Sequence, residues 1–120
     1  MAAAGPDQSE LIHVSDVEGI RVVTVLTDID SVTTDLLLPL LHDATEGRER
    51  AILSLQCCEY CDSHGLAMLI AFSRSFDGRC VLTPSPQLRR LFEVTGLDKV
   101  LPLGWSVADA LQKLLHEARD

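Results

Sequence analysis

Short apolar runs bounded by turn residues, with helix-length stretches between them, constrain this 120-residue chain more than any other feature. Leu11 to Val14 and Ile20 to Thr27 ("IRVVTVLT") are rich in β-branched residues and flank the turn-like "DVEG", which predicts an N-terminal hairpin. Ala51 to Leu55 ("AILSL") and Arg79 to Thr83 ("RCVLT") read as buried strands, and Val100 to Leu103 as a further short one. Between them, Ser31 to Ala44 reads as a helix with Ser31, Thr33 or Thr34 as candidate N-caps. Pro39 removes a hydrogen bond inside that helix, so a kink or a late start is expected. "SHGLAMLIAFSRSF" from Ser63 to Phe76 fits a helix buried on most sides and ended by Gly78. "SPQLRRLFEVTG" carries Ser85 as N-cap, Pro86 at the first position and Gly96 as the stop. Ser106 to Arg119 closes with Val107, Ala110, Leu111, Leu114 and Leu115 at helical spacing. The order β-β-α-β-α-β-α-β-α predicts an α/β fold: a mixed sheet with an N-terminal antiparallel hairpin, parallel central strands and about four helices.

A hydrophobic content of 47% supplies a full core without metal or disulfides. No internal repeat or long linker divides the chain, so residues 1–10 are expected as a flexible tail and residues 11–120 as one domain. The balance of 18 acidic to 10 basic residues, net charge -8, opposes binding to nucleic acid or an anionic membrane and favours a partner with a basic surface. "MAAAGPDQSE" lacks the charged and apolar regions of a signal peptide. The run from Leu36 to Leu41 contains Pro39 and is far too short to span a bilayer. A cytoplasmic address is expected, where cysteines are mostly reduced.

The densest chemistry lies in "QCCEYCDSHG", Gln56 to Gly65. Cys58, Cys61 and His64 repeat a two-residue gap that chelates zinc elsewhere, but no second ligand pair exists, so no metal is expected. A C-x-x-C between strand and helix also resembles a redox motif, except that both cysteines precede the expected helix start at Ser63. The simplest role for these cysteines is that of small apolar residues at a strand end. Ser63 is different: a serine opening a helix sits near unsatisfied backbone N–H groups and a dipole favourable to phosphate. A plain N-cap is its alternative role. No nucleophile–base pair or glycine-rich phosphate loop marks an enzyme or a cofactor site.

Three segments carry a family resemblance. "ILSLQCCEYCDSHGLAMLI" is similar to the core signature of STAS-domain anti-sigma-factor antagonists: an apolar strand, a loop, Asp-Ser-x-Gly-Leu and an apolar helix. "TDID" (Thr27 to Asp30) resembles the family's Gly-Glu-Leu-Asp, and "LRRLFEVTGLDKVLPL" (Leu88 to Leu103) its helix, Thr-Gly-Leu turn and final strand. With the last helix, the match covers nearly the whole chain after residue 10. The resemblance implies a non-enzymatic switch that, unphosphorylated, binds an anti-sigma factor with serine-kinase activity and so frees a sigma factor. Phosphorylation by that kinase dissolves the complex, and a phosphatase restores it. The phosphoacceptor maps onto Ser63. Asp62 and Gly65 match the flanking aspartate and glycine, and Asp30 an aspartate of the partner-binding surface. His64 stands where many members carry Ser, Thr or Ala, so its imidazole either assists recognition or obstructs the kinase. Two other functions fit the fold. One is a redox gate, in which Cys58–Cys61 or Cys57–Cys80 form a disulfide that remodels the docking surface. The other is a STAS subunit of a transport or lipid-trafficking ATPase assembly.

Overall fold

A computed structural model describes residues 11–117. The expected tail (residues 1–10) and the end of the last helix, including Arg119, lie outside the described residues. Strands β1 (Ile12–Val17) and β2 (Ile20–Val25) form the antiparallel hairpin. The reversal is tighter than "DVEG" suggests: Asp16 and Val17 belong to β1, and only Glu18 and Gly19 turn, at φ 52° and 83°. Two consecutive left-handed residues match the twist of the flanking strands. β2 then pairs in parallel with β3 (Ala51–Leu55), and β3 with β4 (Cys80–Pro84), giving the order β1-β2-β3-β4. Every residue of β3 is buried, as expected for a central parallel strand covered on both faces.

The strand period of two divides the core. Val23, Val25, Leu53, Leu55 and Leu82 face helices α1 (Ser31–Ala44), α2 (Ser63–Arg74) and α3 (Pro86–Thr95), which contribute Leu37, Leu41, Leu69, Phe72, Leu88 and Phe92. On the other face Ile20, Val22, Ile52 and Val81 pack against Ala110, Leu111 and Leu114 of α4 (Val107–Glu117).

Four expectations need correcting. Helix α1 is capped not by Ser31, Thr33 or Thr34 but by Asp30, with Thr33 returning the bond to the Asp30 backbone in a capping box. The helix does not start late; it runs continuously through Pro39, whose ring lies on the exposed side. Helix α2 ends at Arg74, before Gly78, because Asp77 and Gly78 already turn the chain at positive φ. The fifth strand shrinks to one parallel bridge, Leu82 to Leu103, after a 3₁₀ turn at Leu97–Lys99. Leu82 donates to the Pro102 carbonyl at 2.9 Å, and Pro102 has no N–H with which to extend the ladder.

Candidate functional site

β2 and β3 are parallel neighbours, so the helices that follow them begin side by side at the same end of the sheet. Each start is capped by an aspartate. Asp30 accepts from the N–H groups of Val32 and Thr33, both at 2.9 Å. Asp62 accepts from Gly65 N–H at 2.8 Å. The Thr33 backbone N–H holds the Asp30 carboxyl below the usual carboxylate range; desolvation opposes it, and the Val32 N–H and the Thr33 hydroxyl add to the lowering.

The residues just before these caps tie the two junctions together. Ile29 and Cys61 form an isolated parallel bridge. Ile29 N–H donates to the Tyr60 carbonyl at 2.9 Å, and Asp62 N–H to the Ile29 carbonyl at 3.0 Å. Asp28 anchors the same loop through its carboxylate, which accepts from Glu59 N–H at 2.9 Å and Tyr60 N–H at 3.2 Å. Ser85 secures the loop from below, donating its hydroxyl to the Cys58 carbonyl at 2.6 Å. Sequence reasoning singled out neither Asp28 nor this second bond of Ser85. An acidic residue just past a strand end, facing a loop rich in free N–H groups, is the signal for Asp28. No local signal identifies a bond that spans 27 residues.

Gly65 is dictated by space. A Cβ added there would lie 2.6 Å from Ile29 Cγ2, 2.8 Å from Cys61 Sγ and 3.1 Å from the Ile29 carbonyl. Only glycine lets α2 begin this close to the bridge. Its position sends Ser63 outward: Ser63 is the first residue of α2 and is exposed, while Asp62 holds the N-cap position considered for the serine. Among the described residues, the amides of Ser63 and His64 donate to no other group, so they face outward beside the Ser63 hydroxyl.

Other exposed side chains lie at the same end of the fold as Ser63. His64 Nε2 lies 3.9 Å from Asp35 Oδ1 of α1. Val32 and Leu36, one turn apart on α1, and Tyr60 in the loop are exposed apolar groups. Asp30, Asp62, Ser63, His64 and Gly65 are therefore brought to one end of the fold, although Gly65 itself is buried.

The four cysteines are unpaired, and only Cys57 is exposed. Burial, followed by the nearby Asp28 charge, pushes the Cys58 thiol up to about 11. Burial, followed by Cys58 and Asp62, pushes Cys61 up to about 12, and burial alone does the same to Cys80. Thiols held this high stay protonated at neutral pH and attack poorly. A Cys57–Cys80 bond conflicts with the topology. Cys80 pairs with Ala51 at the start of β3, whereas Cys57 lies beyond Leu55 at its end. Four strand rises separate those ends by about 13 Å, well past disulfide reach. Cys58 and Cys61 remain neighbours under the loop. Among the described residues, no three His, Cys, Asp or Glu side chains cluster as a metal requires, so Cys58, Cys61 and His64 do not converge. No described helix is long and apolar enough to cross a membrane.

Comparison with known proteins agrees with this architecture. An anti-sigma F factor antagonist of Paenibacillus polymyxa is 26% identical over 102 residues, 80% of this chain and 87% of that protein. The crystal structure of an anti-sigma factor antagonist from Mycobacterium paratuberculosis superposes with a TM-score of 0.76 at 29% identity, covering 98% of this chain and 100% of that one. The anti-sigma factor antagonist SpoIIAA in its unphosphorylated form shares the fold, with a TM-score of 0.67 at 18% identity over 88% of this chain and 96% of that one. The STAS domain family model matches residues 12–110, and with its mixed sheet and two aspartate-capped junctions the chain belongs to the STAS domain family.

Proposed function

We propose that this protein is an anti-sigma-factor antagonist switched at Ser63. In this reading the unphosphorylated form docks its Ser63 end onto an anti-sigma factor with serine-kinase activity, which releases a sigma factor. Phosphorylation of Ser63 ends the complex, and a phosphatase resets it. The domain itself acts by binding and performs no catalysis, within the cytoplasm.

The observation that carries the reading is the placement of Ser63. Its hydroxyl is exposed at the first position of α2, between the Asp62 cap and exposed His64. A kinase can reach it without unfolding the helix. The outward amides and the helix dipole stabilise a phosphate there, so the modified domain stays folded. The phosphate adds nearly two negative charges beside Asp62, at the same end of the fold as exposed Val32, Leu36 and Tyr60. A partner surface complementary to apolar and weakly acidic groups then meets a dense anion, and docking fails through electrostatics and desolvation. The names of the relatives in Paenibacillus polymyxa and Mycobacterium paratuberculosis support the same reading. The buried, protonated thiols give a redox gate less support.

Binding to the anti-sigma factor in the presence of ADP tests this function. Ser63→Ala is expected to bind as the wild type does, and Ser63→Asp at least tenfold more weakly. Equal affinity for both variants, or no complex with either, contradicts it.

A further inference from the structure

One other surface, formed by the segment that joins the 3₁₀ turn to α4 together with α3 and α4, is both exposed and tightly organised. Trp105 is 72% exposed, yet it is fixed on several sides. The Arg89 guanidinium carbon lies 3.9 Å from the indole centroid, and Arg89 donates to the Gly104 carbonyl at 2.6 Å. The Trp105 backbone N–H donates to the Asp109 carboxylate at 2.9 Å, which anchors the main chain beneath the ring. Lys113 sits 3.6 Å from Asp109 and donates to the Leu103 carbonyl at 2.7 Å. The result is a rigid aromatic plate carrying two cations against one carboxylate. Trp and Arg dominate the energetics of interfaces, and a plate already held in place loses little entropy when it docks.

Charge is distributed unevenly between the two ends that carry exposed apolar groups. Arg89 and Lys113 outnumber Asp109 beside Trp105, whereas Asp28, Asp30, Asp35, Glu59 and Asp62 gather at the starts of α1 and α2 and in the loop before α2. The acidic part also presents the second apolar surface, with Val32 70% exposed, Leu36 beside it, Tyr60 in the loop, and Asp35 and Glu59 among them. Both surfaces therefore expose apolar side chains, and they oppose each other in charge.

We propose that the Trp105 surface docks onto the Val32–Leu36–Tyr60 surface of a second copy of this chain, head to tail, and thereby covers Ser63. The covering of Ser63 as a control on the switch rests on the function proposed above; the self-association does not. Because two different patches meet, the contact is heterologous: each copy retains one unused patch, and the assembly extends with concentration. An accumulated pool of the antagonist would shelter its own phosphoacceptor.

Sedimentation velocity of the full chain over a dilution series tests this without any anti-sigma factor, so its outcome is independent of the proposed function. The average mass of the wild type is expected to rise with concentration. Trp105→Ala and Asp35→Lys each remove one patch at an exposed position, and each variant alone is expected to remain monomeric. Mixed in equal amounts they are expected to form a one-to-one dimer and nothing larger, since each supplies the patch the other lacks. Asp35→Lys then holds the only tryptophan in the mixture, so its emission should shift to the blue as Trp105→Ala is added. Wild type that stays monomeric at every concentration overturns the proposal, and so does a mixture that stays monomeric. If Trp105→Ala abolishes association while Asp35→Lys associates like the wild type, the contact is a symmetric one between Trp105 surfaces and the proposal is wrong.

Discussion

Two serines stand at helix starts on the same end of the sheet in opposite surroundings. Ser85 is the N-cap of α3 and is 1% exposed; its hydroxyl accepts from Leu88 N–H at 3.2 Å and donates to the Cys58 carbonyl at 2.6 Å. Ser63 is the first residue inside α2, exposed, with its capping role taken by Asp62. The β4–α3 junction turns directly through Pro84, Ser85 and Pro86, whereas the β3–α2 junction winds through the loop from Gln56 to Asp62. The extra loop length leaves one serine exposed, and the buried serine holds that loop in place. A serine at a helix start is thus buried or exposed according to which residue takes the cap.

The comparison is broken most severely at the anchor of the exposed junction. Gly65→Ala pushes a methyl against Ile29 and Cys61, an overpacking expected to cost about 3 kcal/mol. Urea unfolding monitored by circular dichroism measures it, and an unchanged midpoint would show that the close approach is not a constraint. Next comes the buried serine. Ser85→Ala removes a cap and strands the Cys58 carbonyl, for a loss of about 2 kcal/mol. A loss within experimental error would mean that water replaces the hydroxyl and that Ser85 does not secure the loop.

The contrast between these serines was only half legible in the sequence. Ser85-Pro86 ahead of an apolar helix pattern is a local capping signal, and the structure agrees with it. The strands were readable for the same reason: β-branched runs bounded by turns state their period within a few residues. The capping of α1 by Asp30 was missed because several candidate caps lie side by side from Asp30 to Thr34, and local chemistry alone did not rank them. The fifth strand was overread because "VLPL" has strand-like apolarity, while the proline within it allows only a single bridge. The clamp of Asp28, Ile29 and Ser85 around the loop was invisible because its partners meet only after the sheet has formed. Ser63 itself was picked out by its family resemblance. The space constraint at Gly65 and the Asp62 cap now supply a physical reason for its exposure.

The same loop sharpens the account of its thiols. In native protein, Cys57 is expected to react promptly with a thiol reagent, while Cys58, Cys61 and Cys80 react at least about tenfold more slowly and are released by denaturant. Prompt reaction of Cys58 and Cys61 would show the loop to be open, and Ser85→Ala should move the wild type toward that behaviour. A smaller effect is expected at acid pH. The folded-state pKa of Asp30 is depressed, so its contribution to stability is present above the ordinary carboxylate range and is lost as pH falls through the lower folded value. Asp30→Asn should flatten that acid limb in unfolding curves measured from neutral pH downward. The smallest change is reserved for the exposed serine: Ser63→Ala should alter stability by no more than about 0.5 kcal/mol.

In the switch proposed above, Ser63 is the reactive serine and Ser85 the structural one. Incubating wild type and Ser63→Ala with the cognate anti-sigma factor and Mg-ATP, then mapping phosphate by peptide mass spectrometry, tests it directly. A single phosphate on Ser63 is expected in the wild type and none in the variant. Phosphate on another residue, undiminished labelling of Ser63→Ala, or no labelling of the wild type by a kinase that binds it would contradict the account.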